Sequence, residues 1–474
     1  MSKIITVLLI LLITLSTSAQ INVDSSQKFL IETKTGKPFF WLGDTGWELF
    51  HRITREDALL YLDKRQEQGF NVIQAVALAE INGIKQPNRY GDVPFINEDP
   101  TKWAVTPGNN PNNEKEYDYW DNVDFVIKEA AKRNLYIGLL PTWGDKVTPN
   151  WGDGPVIFNE DNAYIYAKKL AERYKNQWNI IWILGGDRPV VYEREGNKYD
   201  VRAIWRAMAR GIQEVYGKEV FITYHPGGSG DGSAAYLHND QWLKMNAIQS
   251  SHGARNAPVW NDIRRDLKFM PLKPVMDMEP AYEDHPVNPW DGKWTRAERG
   301  YFSAYDVRVR MYRGVFAGGV GSTYGHHSIW QFLNTDLYPT VNTGDTAIHW
   351  KQALEATGAY QMRHLKDLFL SLKDQRRTED PLLVISDKGT DYKDIVMATR
   401  NDGKTYALFH LPQPNAVKVD LSRLQPGTKR VSWFNPASGT YTPQTQTFSS
   451  GIQTFTPPNT AQQDWVLKIE RADN

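Results

Sequence analysis

Two acidic residues close short apolar runs and are each followed at once, or one residue later, by proline. Asp187 ends the stretch Ile-Ile-Trp-Ile-Leu-Gly-Gly-Asp-Arg-Pro (180–189), and Glu279 ends Pro-Val-Met-Asp-Met-Glu-Pro (274–280). Proline removes a ladder donor and stops a strand, while paired glycines let backbone approach a ligand closely. Two carboxyl groups meeting over one substrate are what cleavage of a glycosidic bond needs. One acid protonates the leaving oxygen and the other carboxylate meets the developing oxocarbenium ion; a separation of ~5–5.5 Å gives retention through a covalent intermediate. Asp187 must then be protonated in the free enzyme and Glu279 ionised. Asp277, one strand step deeper than Glu279, is expected to hold a partner rather than attack. Glu283 and Asp284 fall in the following loop, open to substrate binding or to solvation.

The elements that must position these groups recur eight times between residues 39 and 324. Short β-rich runs at 39–43, 71–77, 135–141, 180–185, 220–224, 247–251, 274–278 and 319–324 alternate with stretches of helical periodicity. Thr54 with Asp57 reads as the start of the first helix and Gly69 as its stop. Eight strand-then-helix units predict a (β/α)₈ barrel, whose chemistry gathers at the C-terminal ends of the strands. Those ends offer Asp44 and Trp47, Gln74, Trp143, Asp187 and Arg188, His225, His252, Glu279 and Tyr282, and Tyr324, His326 and His327. Asp187 and Glu279 are the expected catalytic pair. Asp44, Trp47, Gln74, Trp143, Arg188, His225, His252, Tyr282, Tyr324 and His326 are the expected substrate contacts.

His225 and His252 also sit where metal-dependent barrel hydrolases place ligands. Such a site needs His-x-His after the first strand and a carboxylate after the eighth. Gly43-Asp44-Thr45 and Thr323-Tyr324-Gly325 stand there instead. The histidines are therefore read as hydrogen-bonding groups of a sugar pocket, with no metal and no cofactor expected.

Composition agrees with a carbohydrate ligand. The 474 residues include 17 Trp, 23 Tyr and 18 Phe, and aromatic faces stack on sugar rings. The 39-residue loop from Leu78 to Glu116, with Tyr90, Phe95 and Trp103, is long enough to be functional. Loop seven adds Trp290 and Trp294, and loop three adds Trp151. Fifty-five Lys plus Arg balance 55 Asp plus Glu, leaving no general field for nucleic acid. Cysteine is absent, which excludes disulfides, a thiol nucleophile and thiolate metal sites. Lys3, the apolar run 4–13 and small residues to Ala19 have the layout of a secretory signal covering 1–19, implying a bacterial periplasmic or secreted protein with no membrane attachment after cleavage. The barrel is expected over 20–372. From 381 to 474 helical periodicity gives way to short strands at 382–386, 394–399, 405–410, 417–420, 430–434 and 464–469, with Asn401-Asp402-Gly403 as a hairpin turn. This predicts a small β-sandwich packed against the barrel, with Trp433 and Tyr441 read as its core rather than as a sugar platform.

The motifs Phe-Trp-Leu-Gly-Asp-Thr-Gly-Trp (40–47), Gly-Phe-Asn-Val-Ile-Gln (69–74), Ile-Leu-Gly-Gly-Asp-Arg-Pro (183–189), His-Pro-Gly-Gly (225–228) and Glu-Pro-Ala-Tyr-Glu (279–283) resemble the apiosidase-like glycoside hydrolases, family 140. The tail resembles the β-sandwich associated in that family with collagen binding. The resemblance implies an exported enzyme that releases apiose from pectic side chains, with Asp187 as acid/base and Glu279 as nucleophile. Gly186 stands where related retaining barrels carry Asn, which leaves recognition of the sugar's 2-hydroxyl without an assigned residue. Two other readings follow from the same residues: a non-catalytic carbohydrate-binding protein, which would bind without releasing sugar, and a metal-dependent hydrolase, which chelation would inactivate.

Overall fold

The computed structural model describes residues 21–228, 230–339, 341, 348–385, 393–461 and 463–472. The expected signal segment 1–19 lies outside these residues. Eight parallel strands close into a barrel in sequence order: β1 (Trp41–Thr45), β2 (Val72–Val76), β3 (Tyr136–Leu140), β4 (Ile180–Gly185), β5 (Ile222–His225), β6 (Leu243–Ile248), β7 (Val275–Asp277) and β8 (Gly321–Tyr324). Helices follow them: α1 (Arg55–Glu67), α2 (Tyr119–Lys132), α3 (Glu160–Tyr174), α4 (Arg202–Tyr216), the short α5 (Ala234–Leu237), α6 (Val259–Asp266), α7 (Ala304–Phe316) and α8 (Thr357–Leu370). The expected strands overlap all eight, and β6 begins four residues before its expected start.

The α1 signals act as read. Thr54 accepts the Asp57 N–H, and Gly69 takes the left-handed conformation (φ +86°) just past the end. Strand alternation divides the core. Trp41, Val72, Val76, Ile181, Ile183, Met245 and Met276 fill the barrel interior, while Ile73, Ile137, Trp182, Leu184 and Ile222 pack outward against the helices. A three-stranded antiparallel sheet (Ile21–Val23, Leu30–Glu32, Pro38–Phe39) adds Ile21, Leu30 and Phe39 to the interior cluster. Its two- and three-residue strands are too short to carry a periodicity in the sequence.

Apart from a two-stranded hairpin after β4 (Val191–Arg194 with Asn197–Asp200), the remaining strands form the all-β domain: β9 (Arg377–Glu379), β10 (Met397–Asn401), β11 (Tyr406–Leu411), β12 (Val417–Asp420), β13 (Lys429–Asn435), β14 (Thr440–Pro443), β15 (Ile452–Phe455) and β16 (Trp465–Arg471). Six make one antiparallel sheet, β9-β10-β11-β16-β13-β14, and β12 pairs with β15 across a shared core that includes Trp433, Phe409 and Leu467. Asn401-Asp402-Gly403 turns β10 into β11 as expected. The strand expected at 382–386 is instead a 3₁₀ turn, Pro381–Leu383, capped by Asp380, with a single bridge at Val384; Ser386 lies outside the described residues. Proline at the first position and the Asp380 cap favour the turn. Tyr441 is exposed rather than core, because β14 is a polar edge strand.

The six-stranded sheet buries both faces. Ala407, Phe409 and Leu411 point into the all-β core, while Tyr406, Leu408 and Val466 join the cluster formed by α7 and α8. Across this junction Arg308 of α7 donates to Asp464 through Nε (3.0 Å) and Nη2 (2.6 Å), both side chains buried. Replacing one member of a buried pair strands the other charge. Asp464→Asn is therefore expected to cost about 3–5 kcal/mol, read as a lowered unfolding midpoint in thermal denaturation.

Candidate active site

The strand ends open into a cavity of 1410 Å³ that contains both Asp187 and Glu279. Asp187 reaches it through a backbone reversal at the end of β4. Gly185 (φ +91°) and Gly186 (φ +127°) are left-handed; a Cβ at Gly185 would lie 2.2 Å from the His225 carbonyl oxygen, and one at Gly186 would lie 2.8 Å from the Gly144 nitrogen. Only glycine satisfies both the torsion and the space. This explains the glycine immediately before the acid. Asp187 is itself left-handed (φ +50°), a conformation uncommon outside glycine, Asn and Asp.

Glu279 is nearly enclosed and surrounded by donors. Tyr282 Oη donates to its Oε1 at 2.6 Å, His252 Nε2 lies 3.4 Å from Oε1, and His225 Nε2 lies 3.0 Å from Oε2. The imidazole tautomers follow from their other nitrogens. The Asp187 N–H donates to His225 Nδ1 and the Tyr282 N–H to His252 Nδ1, each at 3.3 Å, so each Nε2 carries the hydrogen that faces Glu279. Trp47 Nε1 in turn donates to Tyr282 Oη at 2.9 Å. Burial disfavours the Glu279 charge, but these donors outweigh it and hold the carboxyl well below the usual range. Asp187 goes the other way: burial first, then the charge of Glu279, raise it above the usual aspartate value, against Arg188, a Gln249 hydrogen bond and His225. One cavity thus holds two carboxyl groups whose surroundings drive their ionisation apart.

The expected contacts divide by position. Trp47, Trp143, His252 and Tyr282 line the cavity. His225 and Arg188 lie directly behind the carboxyls: His225 has the inward phase of β5, and Arg188 Nη1 is 3.0 Å from Asp187 Oδ2. Four residues do not belong to the cavity wall. Asp44 has the outward phase of β1, alternating with inward Trp41 and Gly43; its Oδ2 takes Arg65 Nε (2.7 Å) and Tyr61 Oη (2.5 Å) from α1, fully buried. Tyr324 is outward on β8 and donates to Glu283 at 2.6 Å. His326 pairs with Asp284 (3.2 Å) and caps the turn His327–Trp330. Gln74 points into the barrel, where its amide donates to the Met278 carbonyl. Of the other carboxylates, Glu283 accepts the Gly358 N–H at the start of α8, and Asp277 accepts Ser250 Oγ at 2.6 Å.

The cavity also brings in residues that the sequence reading passed over: Glu80, Gln249, His285 and Trp330. Gln249 directly follows β6 and becomes visible once that strand is started at Leu243 instead of 247. Glu80 sits only four residues past β2, at the head of the long second loop. Of the 17 tryptophans, all described, only Trp151 (47%) and Trp290 (54%) are well exposed, and both line this cavity. Tyr90 stacks on Arg55 and Phe95 and Trp103 are buried with Trp120, so these loop-two aromatics are packing. Among the described residues no cluster of three or more His, Asp or Glu is arranged to hold a metal ion.

Fold and cavity together define a barrel glycoside hydrolase. The chain belongs to the apiosidase-like family: the model "Apiosidase-like, catalytic domain" matches residues 24–375. Residues 380–470 match "Putative collagen-binding domain of a collagenase". A solved glycoside hydrolase is 31% identical, aligned over 96% of this chain and 98% of its own, with a TM-score of 0.81. A family 5 glycoside hydrolase from Bacteroides vulgatus ATCC 8482 is also 31% identical, over 96% of this chain and 94% of its own, with a TM-score of 0.82. A family 39 glycoside hydrolase from Bacteroides cellulosilyticus WH2, 12% identical over 90% of this chain and 80% of its own (TM-score 0.51), shares the fold. No curated protein matches the chain.

The placement of Asp44 makes a direct test. Asp44→Asn leaves Arg65 short of its buried counter-charge, so stability should fall by about 3–5 kcal/mol. KM for any cleaved glycan should stay at its wild-type value; a raised KM with unchanged melting would return Asp44 to the binding site.

Proposed function

We propose that this glycoside hydrolase is a retaining enzyme in which Asp187 is the acid/base and Glu279 the nucleophile. The observation that carries the reading is two carboxyl groups lining one cavity in opposed surroundings: His225, His252 and Tyr282 gather on Glu279 and favour its anion, while burial and Glu279's charge raise Asp187 above the usual aspartate value. In the first step Asp187 gives its proton to the glycosidic oxygen as Glu279 attacks the anomeric carbon. In the second, Asp187 draws a proton from the water that releases the sugar. His225 and His252 use their Nε2 hydrogens on Glu279, which favours this role over metal ligation.

The substrate proposed is a pectic side-chain glycan carrying an apiosyl residue. This rests on membership of the apiosidase-like family and on a cavity larger than the ~300–1,000 Å³ of ordinary small-molecule pockets, with room for more than one sugar. Trp151 and Trp290 offer open indole surfaces for the neighbouring units. Export follows from Lys3, the apolar run 4–13 and Ala19. The all-β domain is proposed as an accessory that supports the barrel.

Incubation with pectic oligosaccharides, with identification of the released monosaccharide, tests the substrate; proton NMR of the first-formed anomer tests retention. Asp187→Asn and Glu279→Gln should each lower kcat by about 10²–10⁴-fold or more with native melting. Near-native turnover in either would reject the assignment. Tyr282→Phe removes one donor from a depressed carboxyl, so the Glu279 pKa rises. The acidic limb of the kcat/KM–pH profile, where Glu279 must lose its proton, should move to higher pH.

A further inference from the structure

Arg188 is one guanidinium between two carboxyl groups of the same cavity. Its Nη1 donates to the carbonyl (2.9 Å) and Oδ2 (3.0 Å) of Asp187, while Nη2 donates to Glu80 Oε1 at 2.8 Å. Its position is fixed independently: Nε donates to the Trp151 carbonyl at 2.9 Å, the guanidinium lies 4.5 Å from the centre of the Trp151 ring, and the side chain is only 1% exposed. The neighbouring cation does not share the load. Lys146 Nζ pairs with Asp145 at 2.9 Å and touches Glu80 only through its backbone oxygen at 3.0 Å. Two carboxyls therefore draw on one positive charge, and Glu279 lines the same cavity.

Unshared, that charge would work against the chemistry assigned to Asp187. A cation at hydrogen-bond distance favours the carboxylate, yet the first step needs the carboxylic acid. We propose that Glu80 is a positioning residue for the acid step: its carboxylate occupies Nη2, offsets the Arg188 charge that also reaches Asp187 through Nη1, and so favours the acid form of Asp187 that the glycosidic oxygen needs. The inference rests on Asp187 being the acid/base. In the step concerned, the proton passes from Asp187 to the glycosidic oxygen, the anomeric C–O bond breaks with its electron pair going to the leaving group, and a Glu279 oxygen bonds to the anomeric carbon. Asp187 is then an anion, and Nη1 is in place to stabilise it while it waits for water. Arg188 thus bonds both carboxyls throughout, its charge offset by Glu80 before the proton transfer and available to the Asp187 anion after it.

The other charged groups around Glu80 are accounted for. Asp145 is paired with Lys146, Glu48 accepts the Ile81 N–H and pairs with His51, and Asp153 lines the same cavity. Burial, with the charges of Asp187 and Asp145 and against that of Arg188, pushes Glu80 up to about 7, so its charge is itself sensitive near neutral pH.

The test is kcat/KM against pH on the oligosaccharide from which the wild-type enzyme releases sugar. Glu80→Gln leaves Arg188 acting on Asp187 alone, which lowers the Asp187 pKa. The basic limb, where Asp187 must keep its proton, should move to lower pH by about one unit, giving a loss that approaches tenfold on the alkaline side of the wild-type limb and fades on its acid side. Glu80→Asp, which keeps the charge, should hold the limb near its wild-type position. The double variant Glu80→Gln with Arg188→Gln should move the limb back up. Glu80→Ser provides a second neutral side chain if Glu80→Gln does not fold. A limb that stays in place, or an equal loss at every pH, would overturn the role given to Glu80. Asp187→Asn measured in parallel separates the two levels: its activity with a native profile would overturn the acid/base assignment, whereas its inactivity beside an unmoved Glu80→Gln profile would overturn only the role of Glu80.

Discussion

A carboxylate removed from water stays charged only where hydrogen bonds replace its hydration, and Glu279 is the point at which this fold supplies them. The donors come from three barrel units: His225 from β5, His252 from the loop after β6 and Tyr282 from the loop after β7. Each imidazole is oriented by a backbone N–H on its other nitrogen, and one of those N–H groups belongs to Asp187. The second carboxyl is thus tied to the support of the first. The anion at Glu279 also raises Asp187, so a single arrangement of donors sets the ionisation of both.

Several other buried carboxylates hold elements together. Asp44 ties β1 to α1 through Arg65 and Tyr61, Glu283 joins loop seven to β8 and the start of α8, and Asp277 anchors the turn after β6 through Ser250. What separates them from Asp187 is access to the cavity, not residue type. Strand phase decides this for Asp44: a one-residue step along β1 exchanges the barrel interior for the helix layer.

The all-β domain is joined to the same architecture. Helix α7 carries Arg308, which binds Asp464 of that domain, and Arg310, whose Nη1 donates to the Ser251 carbonyl in the cavity wall at 2.6 Å. Tyr305, at the start of the helix, donates to the Pro412 carbonyl. With Tyr406, Leu408 and Val466 packed on α7 and α8, the domain spends one apolar sheet face on the barrel. Arg308, which grips it, is two positions from Arg310, which holds a cavity loop.

The sequence by itself was enough for the barrel, because eight buried parallel strands and their amphipathic helices leave a periodic signal, and it singled out Asp187 and Glu279, which glycine and proline set off at strand ends and which both line one cavity. It also marked His225, His252 and Tyr282 by their places after strands. It was silent on the N-terminal sheet, whose strands of two or three residues are too short to show a pattern, and on β14, which is polar and exposed. It misassigned Asp44, Gln74, Tyr324 and His326, since proximity to a strand end says nothing of which face a side chain takes. Only the tertiary structure decided that Glu80 and Gln249 enter the cavity and that one guanidinium serves two acids. Those contacts join residues as much as 108 positions apart, and their geometry exists only once the barrel has closed.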